Sequence, residues 1–258
     1  MYTLGIDIGS TSSKAVILQD GEMIVKRALV AVGTGTSGPA QLLQQLFANQ
    51  EIQQSDIRKT VVTGYGRMNF KEADKQISEL SCHAKGVHFL FPEARTVIDI
   101  GGQDAKALKI DSRGNLLNFA MNEKCAAGTG RFLEVMAKVL ETNINDLGHL
   151  SLQAQNTINI SSVCTVFAES EVISHLSKGL GTADIAAGIH RSIAQRVSSL
   201  ALRVGIQSDL IMTGGVAQNI GVVKAMENVT NAKIYVSEYA QYSGAIGAAL
   251  YAYGEANK

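Results

Sequence analysis

The chain has 258 residues, 46% of them apolar, and its 23 basic residues balance 23 acidic ones. A chain of that length can bury a sizeable core, and the neutral balance argues against a surface built for nucleic acid or an anionic membrane. No apolar run nears the roughly 20 residues that span a bilayer, and MYTLGIDIGS enters a strand pattern with no basic and apolar leader, so a cytoplasmic protein is expected.

In chain order, the first predicted unit is a strand ending at Ile6-Asp7-Ile8-Gly9, a glycine turn, an apolar strand from Ala15 to Leu18, a turn at Gln19-Asp20-Gly21 and a further strand. Residues 60–63 (Thr-Val-Val-Thr) predict another strand before the turn Gly64-Tyr65-Gly66, and a helical stretch follows. The opening pattern then returns. Ile98-Asp99-Ile100-Gly101 stands 92 positions after Ile6-Asp7-Ile8-Gly9, Lys106 matches Lys14 at the same offset, and Ala107 to Ile110 followed by Asp111 to Gly114 repeats the strand and hairpin. Agreement of Asp, Gly, Lys and a hairpin at one offset predicts two related subdomains.

After the second copy, Cys125-Ala-Ala-Gly-Thr-Gly130 opens a helix with Phe132, Val135, Met136, Val139 and Leu140 at helical spacing. Ser161-Ser-Val-Cys164-Thr165 opens a second, with Phe167, Val172, Ile173 and Leu176 expected on its apolar side. A long amphipathic helix over about residues 185–204 leads to a strand at 210–213 and the turn Gly214-Gly215. The run Ser243-Gly-Ala-Ile-Gly-Ala-Ala249 predicts a small-residue helix packed close to another element. Alternating strands and helices place the chain in the α/β class.

Asp7 and Asp99 each end a strand just before glycine. Such a pair suits Mg²⁺, which keeps most of its waters and takes one or two protein carboxylates. Gly9-Ser10-Thr11 and Gly101-Gly102-Gln103 offer backbone N–H groups and polar side chains to phosphate oxygens. The GxxxxGK[ST] phosphate loop is absent from the sequence. The three cysteines are odd in number and lack a disulfide-framework spacing, which leaves metal ligation or burial.

LGIDIGSTSSK, TVIDIGGQDAK and MTGGVAQN resemble the first phosphate, second phosphate and adenosine motifs of the acetate kinase, sugar kinase, heat-shock chaperone and actin superfamily. MNEKCAAGTGRFLEVMA, SSVCTVFAESEVISHLSKG and TGYGR are similar to the activator family of 2-hydroxyacyl-CoA dehydratases, which also holds the ATPase subunits of benzoyl-CoA reductase and the reductases of double-cubane-cluster proteins. The resemblance covers essentially the whole chain.

It implies an α/β fold of two duplicated actin-like (ribonuclease H-like) ATPase subdomains with a nucleotide cleft between them. Residues 1–94, joined by a C-terminal helix of about 240–258, would form one, and residues 95–239, with the cluster cysteines, the other. It implies ATP hydrolysis coupled to one-electron transfer from one 4Fe–4S cluster per homodimer, ligated by Cys125 and Cys164 of each chain. Asp7, Asp99 and Gln103 take catalytic roles, the two aspartates holding Mg²⁺ through water. ATP or ADP is held by Gly9, Ser10, Thr11, Lys14, Gly101, Gly102 and Asp104, and on the adenosine side by Gly214, Gly215, Gln218 and Asn219. The partners implied are a 2-hydroxyacyl-CoA dehydratase or a related reductase, with ferredoxin or flavodoxin as electron donor, in anaerobic metabolism.

The cysteine count agrees with that picture: a 4Fe–4S cluster wants four thiolates, and two chains each offering two at helix starts would supply them. Cys82 falls outside the ligand motifs and is expected to be a buried small hydrophobe. Glu169 and Glu171 are expected as helix-start charges, or less directly as contacts to a docked partner. Two other functions fit the same fold, a small-molecule kinase and a nucleotide-dependent chaperone or scaffold; the chain is short for a client-binding part.

Overall fold

Strand β1 (Tyr2–Ile8) is followed by β2 (Ser13–Gln19), β3 (Met23–Val30), helix α1 (Gly38–Leu46), β4 (Ile57–Thr63), the short β5 (Lys75–Gln76) and α2 (Glu79–Leu90). Next come β6 (Thr96–Ile100), β7 (Ala105–Ile110), β8 (Leu116–Asn122), α3 (Gly130–Val139), α4 (Leu147–Ser151), α5 (Thr165–Ser177) and α6 (Thr182–Val204). The chain closes with β9 (Leu210–Thr213), α7 (Ile220–Thr230), β10 (Ile234–Tyr235) and α8 (Ser243–Ala256). The structure is a computed structural model that describes residues 1–49, 51–122, 125–161, 164–207 and 210–258. Glu123, Lys124, Ser162 and Val163, which belong to the two cysteine motifs, lie outside the described residues.

The chain divides into two units, one of residues 1–94, 110–117 and 237–258, the other of residues 95–109 and 118–236. Each is built on a five-stranded sheet, in the order β3-β2-β1-β4-β5 in one and β8-β7-β6-β9-β10 in the other. In both, the first strand is antiparallel to the second and parallel to the fourth. A parallel neighbour needs a crossover connection. The first unit makes it with α1, and the second with the longer stretch from α3 to α6.

Strand β2 reads Ser-Lys-Ala-Val-Ile-Leu-Gln, and its apolar residues serve both faces of the first sheet. Ala15 and Ile17 pack with Leu4, Ile6, Ile8, Leu42 and Leu46 on the α1 side, while Val16 and Leu18 pack with Ala245, Ile246 and Ala249 of α8. A strand covered on both faces loses polar alternation, which is why these strands read as apolar runs. The small residues of α8 have a specific cause. A β-carbon on Gly247 would collide with the Cys82 carbonyl, and one on Gly86 with the Ser243 carbonyl, so α2 and α8 cross at backbone contact.

The amphipathic face of α5 differs from the sequence expectation. Ala168 and Val172, one turn apart, form its buried stripe, whereas Phe167 and Ile173 are 68% and 49% exposed. Each of the two sits one residue outside that stripe, a rotation of about 100° that turns it outward.

Candidate functional site

The two sheets place their aspartates in the same local frame. Asp7 pairs across β1 with Lys14 on β2 and Thr63 on β4, and Asp99 pairs across β6 with Lys106 on β7 and Thr213 on β9. Both carboxylates are buried, at 4% and 3% exposure. The turn that follows is also the same, since the Gly9 N–H donates to the Ser12 carbonyl at 3.0 Å and the Gly101 N–H to the Asp104 carbonyl at 2.9 Å.

A further correspondence lies in the fourth strand of each sheet. Thr63-Gly64 ends β4 and Thr213-Gly214 ends β9, with φ of +87° and +86° at the glycines. A β-carbon at Gly64 would strike Asp7 Oδ1 and the Ile8 carbonyl; at Gly214 it would strike the Ile100 carbonyl and come within 3.1 Å of Asp99 Oδ1. Left-handed backbone and lack of space both require glycine there. Gly64 and Thr63 were not among the site residues expected from sequence, and the repeated Thr-Gly dipeptide is the sign that could have found them.

The frames differ in polarity. Lys106 is 2% exposed and its Nζ lies 2.7 Å from Asp104 Oδ2 and 3.3 Å from Asp99 Oδ2, so a buried cation sits between two carboxylates. Lys14 Nζ lies 3.8 Å from Asp7 Oδ2, and position 104 is matched in the first unit by Ser12. Thr213 donates its hydroxyl to Asp99 Oδ1 at 2.7 Å, but Thr63 donates to the Ile77 carbonyl at 2.9 Å. Thr11 and Gln103 are exposed at the tips of the two turns, and Ser10 and Gly102 are half-buried.

On the adenosine motif, Gly214 and Gly215 lead into a 3-10 turn ending at Gln218, whose side chain is exposed. Asn219 caps α7, its Oδ1 accepting the Val222 N–H at 3.1 Å, and its Nδ2 faces His190 Nε2 at 3.4 Å. His190 Nδ1 lies 2.9 Å from Ser151 Oγ. Burial holds the His190 pKa down at about 4.

Cys125 and Cys164 are exposed free thiols, whereas Cys82 is fully buried. Cys164 is the N-cap of α5. Cys125 stands further from its helix, since the turn 126–129 intervenes before α3. Asn122 clamps that turn by donating from Nδ2 to the Cys125 carbonyl at 3.0 Å. Glu171 is no helix-start charge: its carboxylate accepts the Ser161 N–H and hydroxyl, both at 3.0 Å, and ties down the segment before Cys164. Both cysteines lie within electrostatic reach of one guanidinium, Arg196 on α6. Two exposed thiols near a common cation fit a negatively charged, thiolate-ligated cluster in donor chemistry, and would supply half of the four ligands such a cluster takes.

The phosphate-type loop and the cysteine loop are joined directly. The Gly130 N–H donates to the Gly101 carbonyl and the Arg131 N–H to the Gly102 carbonyl, each at 2.9 Å. Along the chain the β7–β8 hairpin separates the two loops; these two bonds join them directly at the first turn of α3.

Two sheets of identical strand order, each ending its first strand in a buried aspartate and a glycine turn, define an actin-like ATPase fold. The same fold is found in a ROK family glucokinase from Streptomyces griseus, with TM-score 0.60 at 15% identity over 98% of this chain and 99% of that one. The chain belongs to the BadF/BadG/BcrA/BcrD ATPase family, whose model matches residues 4–252. It is 59% identical over its full length, and over 97% of the relative, to the 2-hydroxyisocaproyl-CoA dehydratase activator of Clostridioides difficile. Identity is 57% to the (R)-2-hydroxyglutaryl-CoA dehydratase activating ATPase of Acidaminococcus fermentans, over 100% of this chain and 99% of that protein. The solved structure of the Clostridium difficile activator with bound ADPNP superposes with TM-score 0.97, at 60% identity over 100% of this chain and 96% of that one. No helix among the described residues is long and apolar enough to cross a membrane.

Proposed function

We propose that this chain is an ATP-dependent activator of a 2-hydroxyacyl-CoA dehydratase, working as a cytoplasmic homodimer in anaerobic metabolism. The observation that carries this reading is 57–59% identity, end to end, to activators of dehydratases acting on two different acyl-CoA substrates. The kinase reading that the fold alone permits rests on a likeness at 15% identity, which speaks for architecture and not for activity.

MgATP binds the two aspartate loops, with the N–H groups of 9–11 and 101–103 on the phosphates. Asp7 and Asp99 would hold Mg²⁺ through its waters. Both oxygens of Asp99 already have protein partners, Thr213 and Lys106, so a hydrated ion suits it better than a bare one. Gln103, exposed at the tip of its turn, orients the attacking water, and Lys106 sets its positive charge 3.3 Å from Asp99 Oδ2. Gly214 and Gly215 run beside the adenosine. Cys125 and Cys164 would hold a 4Fe–4S cluster, whose chemistry there would be transfer of a single low-potential electron, with ferredoxin or flavodoxin as donor. The N-terminal end of α5, carrying about half a positive charge, lies at Cys164, its N-cap.

For nucleotide to drive transfer, ATP and ADP must bind the docked and undocked forms with different affinity. The Gly101–Gly130 and Gly102–Arg131 hydrogen bonds give this chain a route for that difference. The test is reconstitution: anaerobically purified protein with a chemical reductant and MgATP should switch on a purified 2-hydroxyacyl-CoA dehydratase, and MgADP should not. Iron-free protein that phosphorylates a small hydroxy or carboxy compound and leaves the dehydratase silent would overturn the proposal.

A further inference from the structure

Arg196 lies in the C-terminal half of α6, away from both phosphate loops in sequence, and no motif of the chain includes it. Its stem runs beneath the turn between Cys125 and α3: a β-carbon on Gly128 would come within 3.7 Å of Arg196 Cβ and 3.9 Å of Cδ. Its guanidinium carbon stands 5.7 Å from the centre of the Phe132 ring, on the first turn of α3. From there the charge reaches the thiols of Cys125 and Cys164 alike, and both favour the charged guanidinium against the burial that opposes it. The cation is thus placed by packing on α3, and its field falls on the two positions where the chain presents an exposed thiol.

We propose that Arg196 is a charge-setting residue for the cluster, a fixed cation that stabilises the thiolate-ligated group and raises the potential at which it accepts an electron. This rests on the reading of Cys125 and Cys164 as cluster ligands. Cluster potentials follow net charge and nearby dipoles. A one-electron reduction adds negative charge, so a cation close to the sulfurs lowers the energy of the reduced form more than that of the oxidised one. Arginine suits the task because its delocalised, weakly hydrated guanidinium keeps its charge in a half-buried site. A dimer sharing one cluster would bring two such cations to it.

The test uses full-length protein purified anaerobically, with Arg196→Gln and Arg196→Lys beside the parent chain. Iron and sulfide are counted, and the midpoint potential is read by dithionite titration followed by electron paramagnetic resonance. With iron retained, the Gln variant should reduce at a lower potential, its reduction equilibrium weakened about tenfold, or about 59 mV for one electron. The Lys variant should stay close to the parent. Loss of iron in the Gln variant alone also supports the role of charge, since Lys keeps charge but not shape. The proposal is overturned if the Gln variant holds full iron at the parental potential, or if both variants lose iron, which would make Arg196 a packing residue. A parent chain without iron would instead sink the cluster reading on which all this depends.

Discussion

Thr213 donates its hydroxyl to Asp99 Oδ1 over 2.7 Å, and no equivalent bond joins Thr63 to Asp7, because Thr63 spends its hydroxyl on the Ile77 carbonyl. The two halves of the duplicated frame are therefore not interchangeable. Thr213→Val should leave a buried carboxylate oxygen short of one donor, a loss of about 1–3 kcal/mol. We expect ATP hydrolysis to fall roughly tenfold to a hundredfold on that scale. Thr63→Val should lower the melting temperature by a few degrees through the β4–β5 edge and leave the hydrolysis rate near the parent. Equal rates for Thr213→Val and parent would show that the bond does not orient Asp99.

Asp7→Asn and Asp99→Asn each remove a charge proposed to face hydrated Mg²⁺. Both should depress ATP hydrolysis by orders of magnitude while iron content stays unchanged. Steady-state phosphate release and an iron assay on the same preparations decide it.

The three cysteines should separate cleanly. Burial pushes the Cys82 thiol up to about 12, so at neutral pH it is protonated and enclosed. Iodoacetamide should label Cys125 and Cys164 in iron-free folded protein and reach Cys82 only on unfolding. Cys125→Ser or Cys164→Ser should lose the iron, and Cys82→Ser should keep it. Full iron in the Cys164 variant would remove that ligand assignment.

Nucleotide state should be readable at the start of α3. If contacts at Gly101 and Gly102 change between an ATP analogue and ADP, the Gly130 and Arg131 amides bonded to those carbonyls should change their hydrogen-exchange rates. Iron chelation should change speed in parallel. Identical exchange and chelation in both states would leave ATP without a mechanical link to the cysteines.

His190 gives a pH signature. Its folded pKa, held near 4 by burial, lies below its ordinary 6.5, so the unfolded chain takes up the proton first. The stability concerned is fully present above pH 6.5 and drains away as pH falls toward 4, at up to about 1.4 kcal/mol per pH unit. Asp111 and Glu255, held down near 2 by hydrogen bonds from Asn115 and Lys258, respond only at lower pH. Urea midpoints between pH 4 and 6.5 should therefore slope upward with pH, and His190→Gln should flatten the curve. An unchanged slope in the variant would assign the proton to another group.

Much of the frame was legible because it is local. Asp7, Gly9 and Lys14 lie within one hairpin, so their copies at Asp99, Gly101 and Lys106 kept a constant offset of 92. The Thr-Gly pair was not, since Thr63 and Thr213 stand 150 positions apart, the second unit having four helices where the first has α1. Phe167 and Ile173 were misjudged for a related reason: with Ala168 carrying part of the buried stripe of α5, apolar size gave the wrong helical phase. Arg196 was invisible because only tertiary packing brings α6 beneath the cysteine turn. The role of Glu171 depends on a ten-residue return of the chain to Ser161, which no short pattern records.

Helix α8 covers Val16, Leu18 and Val61 of the first sheet, yet it is synthesised only after the whole of the second unit. On the ribosome, the first sheet therefore waits with one face bare while the second unit is made. The crossing of Gly247 over Cys82 becomes a late event in biogenesis, and a nascent chain stalled before residue 243 should be a client for chaperones, however well its second half has folded.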